Sequence, residues 1–170
     1  MADPEPRQPD QAMLRYVAEH TPESTRGAGI SELYGRFYAP LALGSVVIAF
    51  LPLFNDVESG EGDSTSRTSY GTVFDMAARP GGGPAVIGVA LLVALVGLLT
   101  IAAVRVRRVG VPVLIALVAT LIAVMLITKP GTGSPTPDLS DGGRAALALA
   151  VCAIVLGLAH AIHLVVTKPA

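Results

Sequence analysis

The sequence predicts an all-α membrane protein with four transmembrane helices, both termini cytoplasmic, and a short interfacial helix in the first outer loop. Three observations carry that prediction. Four apolar stretches, Tyr38–Phe54, Ala85–Val104, Val111–Thr128 and Ala145–Thr167, contain no Asp, Glu, Lys or Arg. They hold 17, 20, 18 and 23 residues, and about 20 helical residues cover the ~30 Å hydrocarbon core of a bilayer. The hinge between the second and third stretches, Arg105-Val106-Arg107-Arg108-Val109-Gly110, carries three arginines and no acid. Basic residues gather in short cytoplasmic loops, so Arg105, Arg107 and Arg108 set the topology.

Composition agrees with this class. Of 170 residues, 52 % are hydrophobic, and the mean hydropathy is +0.61. A soluble domain spreads a similar apolar fraction by helix or strand period, whereas here it is pooled into long runs. The net charge of −1 excludes a basic nucleic-acid footprint. The single cysteine, Cys152, lies mid-span, so no intrachain disulfide forms.

Residues 1–37 form the first element, a polar cytoplasmic segment with six acids and four arginines. That charge pattern is unlike a cleavable signal peptide, so the first span is expected to act as its own uncleaved insertion signal. Within Gln11–His20, Met13, Leu14 and Val17 fit one face of a short amphipathic helix. Glu32 and Arg36 stand i,i+4 for a modest helix pair. Tyr34, Phe37 and Tyr38 cluster where the chain enters the bilayer and read as interfacial anchors.

Residues 38–167 are the four-span domain, interrupted by two outer loops. The first, 55–84, opens with an acidic Gly/Ser tract, Asp56–Asp63. Tyr70, Val73, Phe74 and Ala77 then recur at helical spacing, with Asp75 placed to pair with Arg79, which predicts the short interfacial helix. The second, 129–144, contains the Gly/Pro run Pro130–Asp138 and reads as a connector. Eight basic residues fall on the cytoplasmic side of this arrangement against four outside.

Lipid tails are as apolar as leucine, so membrane helices associate through small residues that allow close approach. Each span carries such a stripe. Span one has Ala42, Ser45 and Ala49, and span two has Ala90, Ala94 and Gly97. Span three has Ala116, Ala119 and Ala123. Span four has the longest, Ala146, Ala150, Ala153 and Gly157, continued by His160. The span-two and span-four stripes are the expected helix-packing or partner-contact surfaces.

Candidate chemistry is sparse. His160 and His163 are, apart from Cys152, the only ionisable residues in any span, and an intramembrane ionisable residue is a functional hypothesis by default. No other span contains His, Asp or Glu, so a metal or bis-histidine haem site lacks further ligands. Structural polar contacts are the favoured reading, with a redox or proton role, or ligation completed by a partner, as alternatives. The tract from Asp56 fails the EF-hand pattern, because Gly60 and Glu61 stand at positions 5 and 6 and Arg67 at position 12. No phosphate-cradling loop or nucleophile elbow occurs. All eight aromatic residues lie at or before Phe74, which disfavours a cofactor pocket built from spans two to four alone. No catalytic, cofactor-binding or metal residue is therefore expected, and the chain reads as a non-enzyme.

Arginine outnumbers lysine ten to two, and Ala, Val, Leu and Gly dominate the spans, a bias similar to that of high-GC actinobacterial proteomes. With four charge-free spans, the Arg105–Arg108 hinge and an acidic outer loop, the chain resembles small accessory proteins of actinobacterial energy-converting assemblies. The association factors of the cytochrome bcc–oxidase respiratory supercomplex are among them. The resemblance implies a non-catalytic accessory or assembly subunit of the bacterial plasma membrane, packed against other integral subunits and lipids. Haem and copper would then sit only in the partner subunits, with bound phospholipids on this chain. The alternatives are a small homo-oligomeric transporter or lipid-handling protein, and an enzyme completed by a partner through His160 and His163.

Overall fold

The computed structural model describes residues 24–59, 66–104, 109–128 and 137–167. Its elements are α1 (Ser24–Ile48), β1 (Val57–Ser59), β2 (Ser66–Thr68), α2 (Val73–Ala77), α3 (Gly83–Val104), α4 (Gly110–Thr128) and α5 (Asp141–Val166). The four long helices make one bundle: α1 packs on α3 and α5, and α4 packs on the same two. α1 and α4 therefore face each other across a diagonal. The expected helix Gln11–His20, the arginines Arg105, Arg107 and Arg108, and the Gly/Pro run up to Thr136 lie outside the described residues.

Helices α3, α4 and α5 are each long and apolar enough to cross a membrane. In their most apolar windows only 17 %, 39 % and 28 % of the residues are buried, so most of their apolar surface faces outward. α1 differs from the expected first span. Its apolar part covers Leu33–Ile48, and the helix stops short of Phe54. Pro52 explains the stop, because it has no N–H to donate and disfavours the helical conformation of the residue before it. The last turn tightens to Phe50 N–Val47 O and Leu51 N–Ile48 O bonds of 3.2 and 3.0 Å.

The chain after α1 instead forms a clamp with the segment that leads into α5. Asn55 N donates to Asp138 O at 2.8 Å and Ser140 N donates to Leu53 O at 3.1 Å, around an antiparallel bridge between Phe54 and Leu139. Ser140 caps α5, accepting from Gly143 N at 3.1 Å, while its hydroxyl donates to Pro52 O. α5 thus begins at Asp141, before the charge-free stretch. Gly142 and Gly143 make this possible, since a Cβ on either would collide with the Pro52 or Leu53 carbonyl. The second outer loop is accordingly more than a connector at its end: Pro137 is fully buried and Leu139 packs beside Phe54.

In the first outer loop β1 and β2 pair antiparallel, with Glu58 opposite Arg67, an element the acidic tract did not announce. The helix that follows, α2, has five residues and a capping box at Thr72. Thr72 N and Oγ1 both donate to Asp75 Oδ2, at 2.8 and 2.7 Å. Asp75 is therefore engaged by Thr72 first. Those backbone and hydroxyl hydrogen bonds, with Arg79 a lesser contributor, hold its carboxyl below the ordinary carboxylate range. A group depressed in the folded state stabilises above its unfolded pKa, and that contribution disappears as pH falls through the folded value. The Thr72 and Asp75 amide shifts are expected to stay constant above about pH 5 and to titrate below about pH 4. In D75N that titration should be absent.

Candidate functional site

The bundle buries one cluster of polar aromatic side chains, between the start of the apolar part of α1 and the end of α5. On α1, Tyr34 and Tyr38 are one helical turn apart. On α5, His160 and His163 are likewise nearly a turn apart, so each pair shares a face. The chain enters the bundle along α1 and leaves it along α5, which brings residues 122 positions apart into one layer. Tyr38 is 0 % exposed and His160 1 % exposed.

Tyr38 Oη lies 3.0 Å from His160 Nδ1. Tyr34 stacks flat on the imidazole, ring centroids 4.4 Å apart and planes 7° from parallel. His163 lies tilted against the same tyrosine, with centroids 5.9 Å apart. His160 Nε2 is buried and has no hydrogen-bond partner among the described residues. Two tautomers satisfy the observed bond. Tyr38 donates to a bare Nδ1 and leaves Nε2–H without an acceptor, or Nδ1–H donates to the phenol oxygen and leaves Nε2 bare. In both, one polar atom of the bundle interior is unsatisfied, while the Tyr38–His160 bond ties α1 to α5.

Of the three expected anchors, Tyr38 is buried in the core and Tyr34 is half-buried against His160, while Phe37 is 53 % exposed.

The long stripe of α5 lies wholly inside: Ala146, Ala150, Ala153, Gly157 and His160 are all buried. A Cβ on Gly157 would stand 2.8 Å from Pro112 O and 3.3 Å from Ala116 Cβ, so α4 and α5 touch backbone to side chain there. The α3 stripe is placed otherwise. Ala90, Ala94 and Gly97 are exposed, and no atom lies within 4 Å of a Cβ built on Gly97. α3 packs inside the bundle through Ala102 and the larger Leu95 and Leu99, which fill the space between α1 and α4. The small-residue stripe thus makes no helix contact among the described residues.

Hydroxyls within the helices fold back on their own backbone. Ser45 Oγ donates to Leu41 O at 2.9 Å and Thr120 Oγ1 to Ala116 O at 2.7 Å, which satisfies them where water is absent. Cys152 is exposed on the outer face of α5. Among the described residues no three His, Cys, Asp or Glu side chains are grouped to hold a metal ion. No protein-family model, curated protein or solved structure matches this chain.

Proposed function

We propose that this chain is a non-catalytic accessory subunit that packs against and stabilises a larger membrane complex. All four long helices cross the membrane in this reading, with both termini cytoplasmic in a bacterial plasma membrane. The complex is a respiratory electron-transfer supercomplex of the actinobacterial type, whose other subunits hold the haem and copper.

The observation that carries the reading is the outward-facing stripe Ala90–Ala94–Gly97 on α3. A stripe of small residues lets a second helix approach closely, and in lipid such approach is what drives association. Among the described residues no helix uses it. The exposed apolar residues around it, Ile87, Val93 and Ile101, complete a surface suited to another apolar helix.

Purification through a tag on this chain in mild detergent tests the assignment. Haem absorbance and oxidase activity should co-purify with it, and a pure homo-oligomer overturns the reading. The double variant A94L/G97L should leave the stability of the isolated chain within about 0.5 kcal/mol, because both sites are exposed. The same variant should release the co-purifying haem. Haem retained at wild-type level would remove the stripe from the interface.

A further inference from the structure

The end of the bundle opposite His160 contains a cleft of about 170 Å³. Ile48 closes it from α1, Met76 from α2, Gly88 and Leu92 from α3, and Met125 from α4. We propose that this cleft holds the upper part of one acyl chain of a membrane phospholipid. The proposal goes beyond the accessory role and rests on the membrane placement of α3, α4 and α5, not on any partner.

Chemistry of the lining selects the occupant. Its only polar side chain is Thr128, whose hydroxyl donates to Met125 O at 3.1 Å. Water needs two to four polar partners, and an apolar cavity of roughly 150 Å³ stays dry and accepts small hydrocarbon guests. A ring bearing carbonyls finds no donor here. A protein helix, about 10 Å across, is too wide for the volume. A flexible hydrocarbon chain meets both limits, and the thioethers of Met76 and Met125 adapt to its shape.

Depth and charge select the source. On α3 the lining runs from Pro84 to Leu92, eight helical steps that rise about 12 Å. Half of a ~30 Å hydrocarbon core is nearly the same distance. The cleft therefore spans one leaflet from its headgroup boundary inward, as an ester-linked chain does. Arg79 is exposed on the turn between the lining residues Met76 and Pro84, which places a cation at the level of the phosphate.

Native mass spectrometry of the full chain tests this, after reconstitution in nanodiscs of phosphatidylglycerol and phosphatidylethanolamine and release into mild detergent. One phospholipid per chain should survive release from the wild type. Gly88 faces the cleft with room for a Cβ, Val73 Cγ2 and Met125 Cε standing 3.7 and 3.8 Å away. G88L therefore fills the space, and retention should fall about tenfold or more. G97L, on the outer face of the same helix, should retain the lipid. Wild type without a phospholipid, a free fatty acid in its place, or G88L with undiminished lipid overturns the assignment.

A second measurement uses the wild type alone and so does not depend on how G88L folds. Phosphatidylglycerol with a diazirine in the upper part of one acyl chain should label Met76 and Met125 on irradiation. Adducts spread evenly over the exposed residues Val113, Val155 and Ile162 would show ordinary bilayer contact and defeat the proposal.

Discussion

Gly157→Leu is expected to force α5 away from α4 and to destabilise the bundle by about 3 kcal/mol, the upper end of the usual range for overpacked cores. Even an added methyl would stand 2.8 Å from the Pro112 carbonyl oxygen and 3.3 Å from Ala116 N. Both neighbours belong to the backbone of the first two turns of α4, so neither moves aside by a rotamer change. Leucine adds three further carbons to that collision. The α4–α5 contact is the most extensive in the bundle, and in lipid its strength comes from close packing rather than from expelled water. Unfolding followed by circular dichroism in detergent mixtures of rising SDS fraction reads the effect. G157L should lose its helical packing at a lower SDS fraction, while G97L, with open space around the added side chain, should follow the wild type. Equal midpoints for G157L and wild type would mean that the contact tolerates separation.

Why the Gly157 stripe packs inside the bundle and the Ala94 stripe does not has a physical cause. Small residues at seven-residue repeats permit close approach, but they do not say to what. On α5 the stripe is buried, because α4 and α1 flank that helix on adjacent sides. On α3 the chain uses Leu95 and Leu99 instead, and the equally regular Ala90–Ala94–Gly97 stripe turns outward. Helix ends were misplaced for a related reason. Hydropathy continues through Leu53 and Phe54, whereas the helix obeys Pro52, and the residues beyond it bond to Asp138 and Ser140. The hairpin β1–β2 escaped notice because its strands, Val57–Ser59 and Ser66–Thr68, are too short for a readable alternation. The polar layer around His160 required a contact across 122 residues, which periodicity within one helix never reveals.

That layer supports the other large expectation. Tyr38→Ala should destabilise the bundle by about 3 kcal/mol, as removal of a fully buried ring does. Tyr38→Phe should destabilise it by about 1 kcal/mol, the scale of one side-chain hydrogen bond between membrane helices. The phenol belongs to the same buried core cluster as Leu99, Ile115 and Ala153, lies against the imidazole of His160, and bonds its Nδ1 at 3.0 Å. Losing the ring opens a void where α1 meets α5, the less extensive of the two contacts that hold α1 in the bundle. Losing only the oxygen leaves both imidazole nitrogens without a partner among the described residues, a cost set by desolvation of a buried polar group. A double-mutant cycle separates these effects. H160L alone strands the Tyr38 hydroxyl, and Y38F/H160L removes donor and acceptor together, so the double variant should be more stable than the sum of the single losses by about 1 kcal/mol. Strict additivity would show that the two side chains are neighbours without an energetic bond. A coupling of the expected size would identify this buried pair as the fastening that keeps α1, whose apolar part is the shortest, attached to the other three long helices.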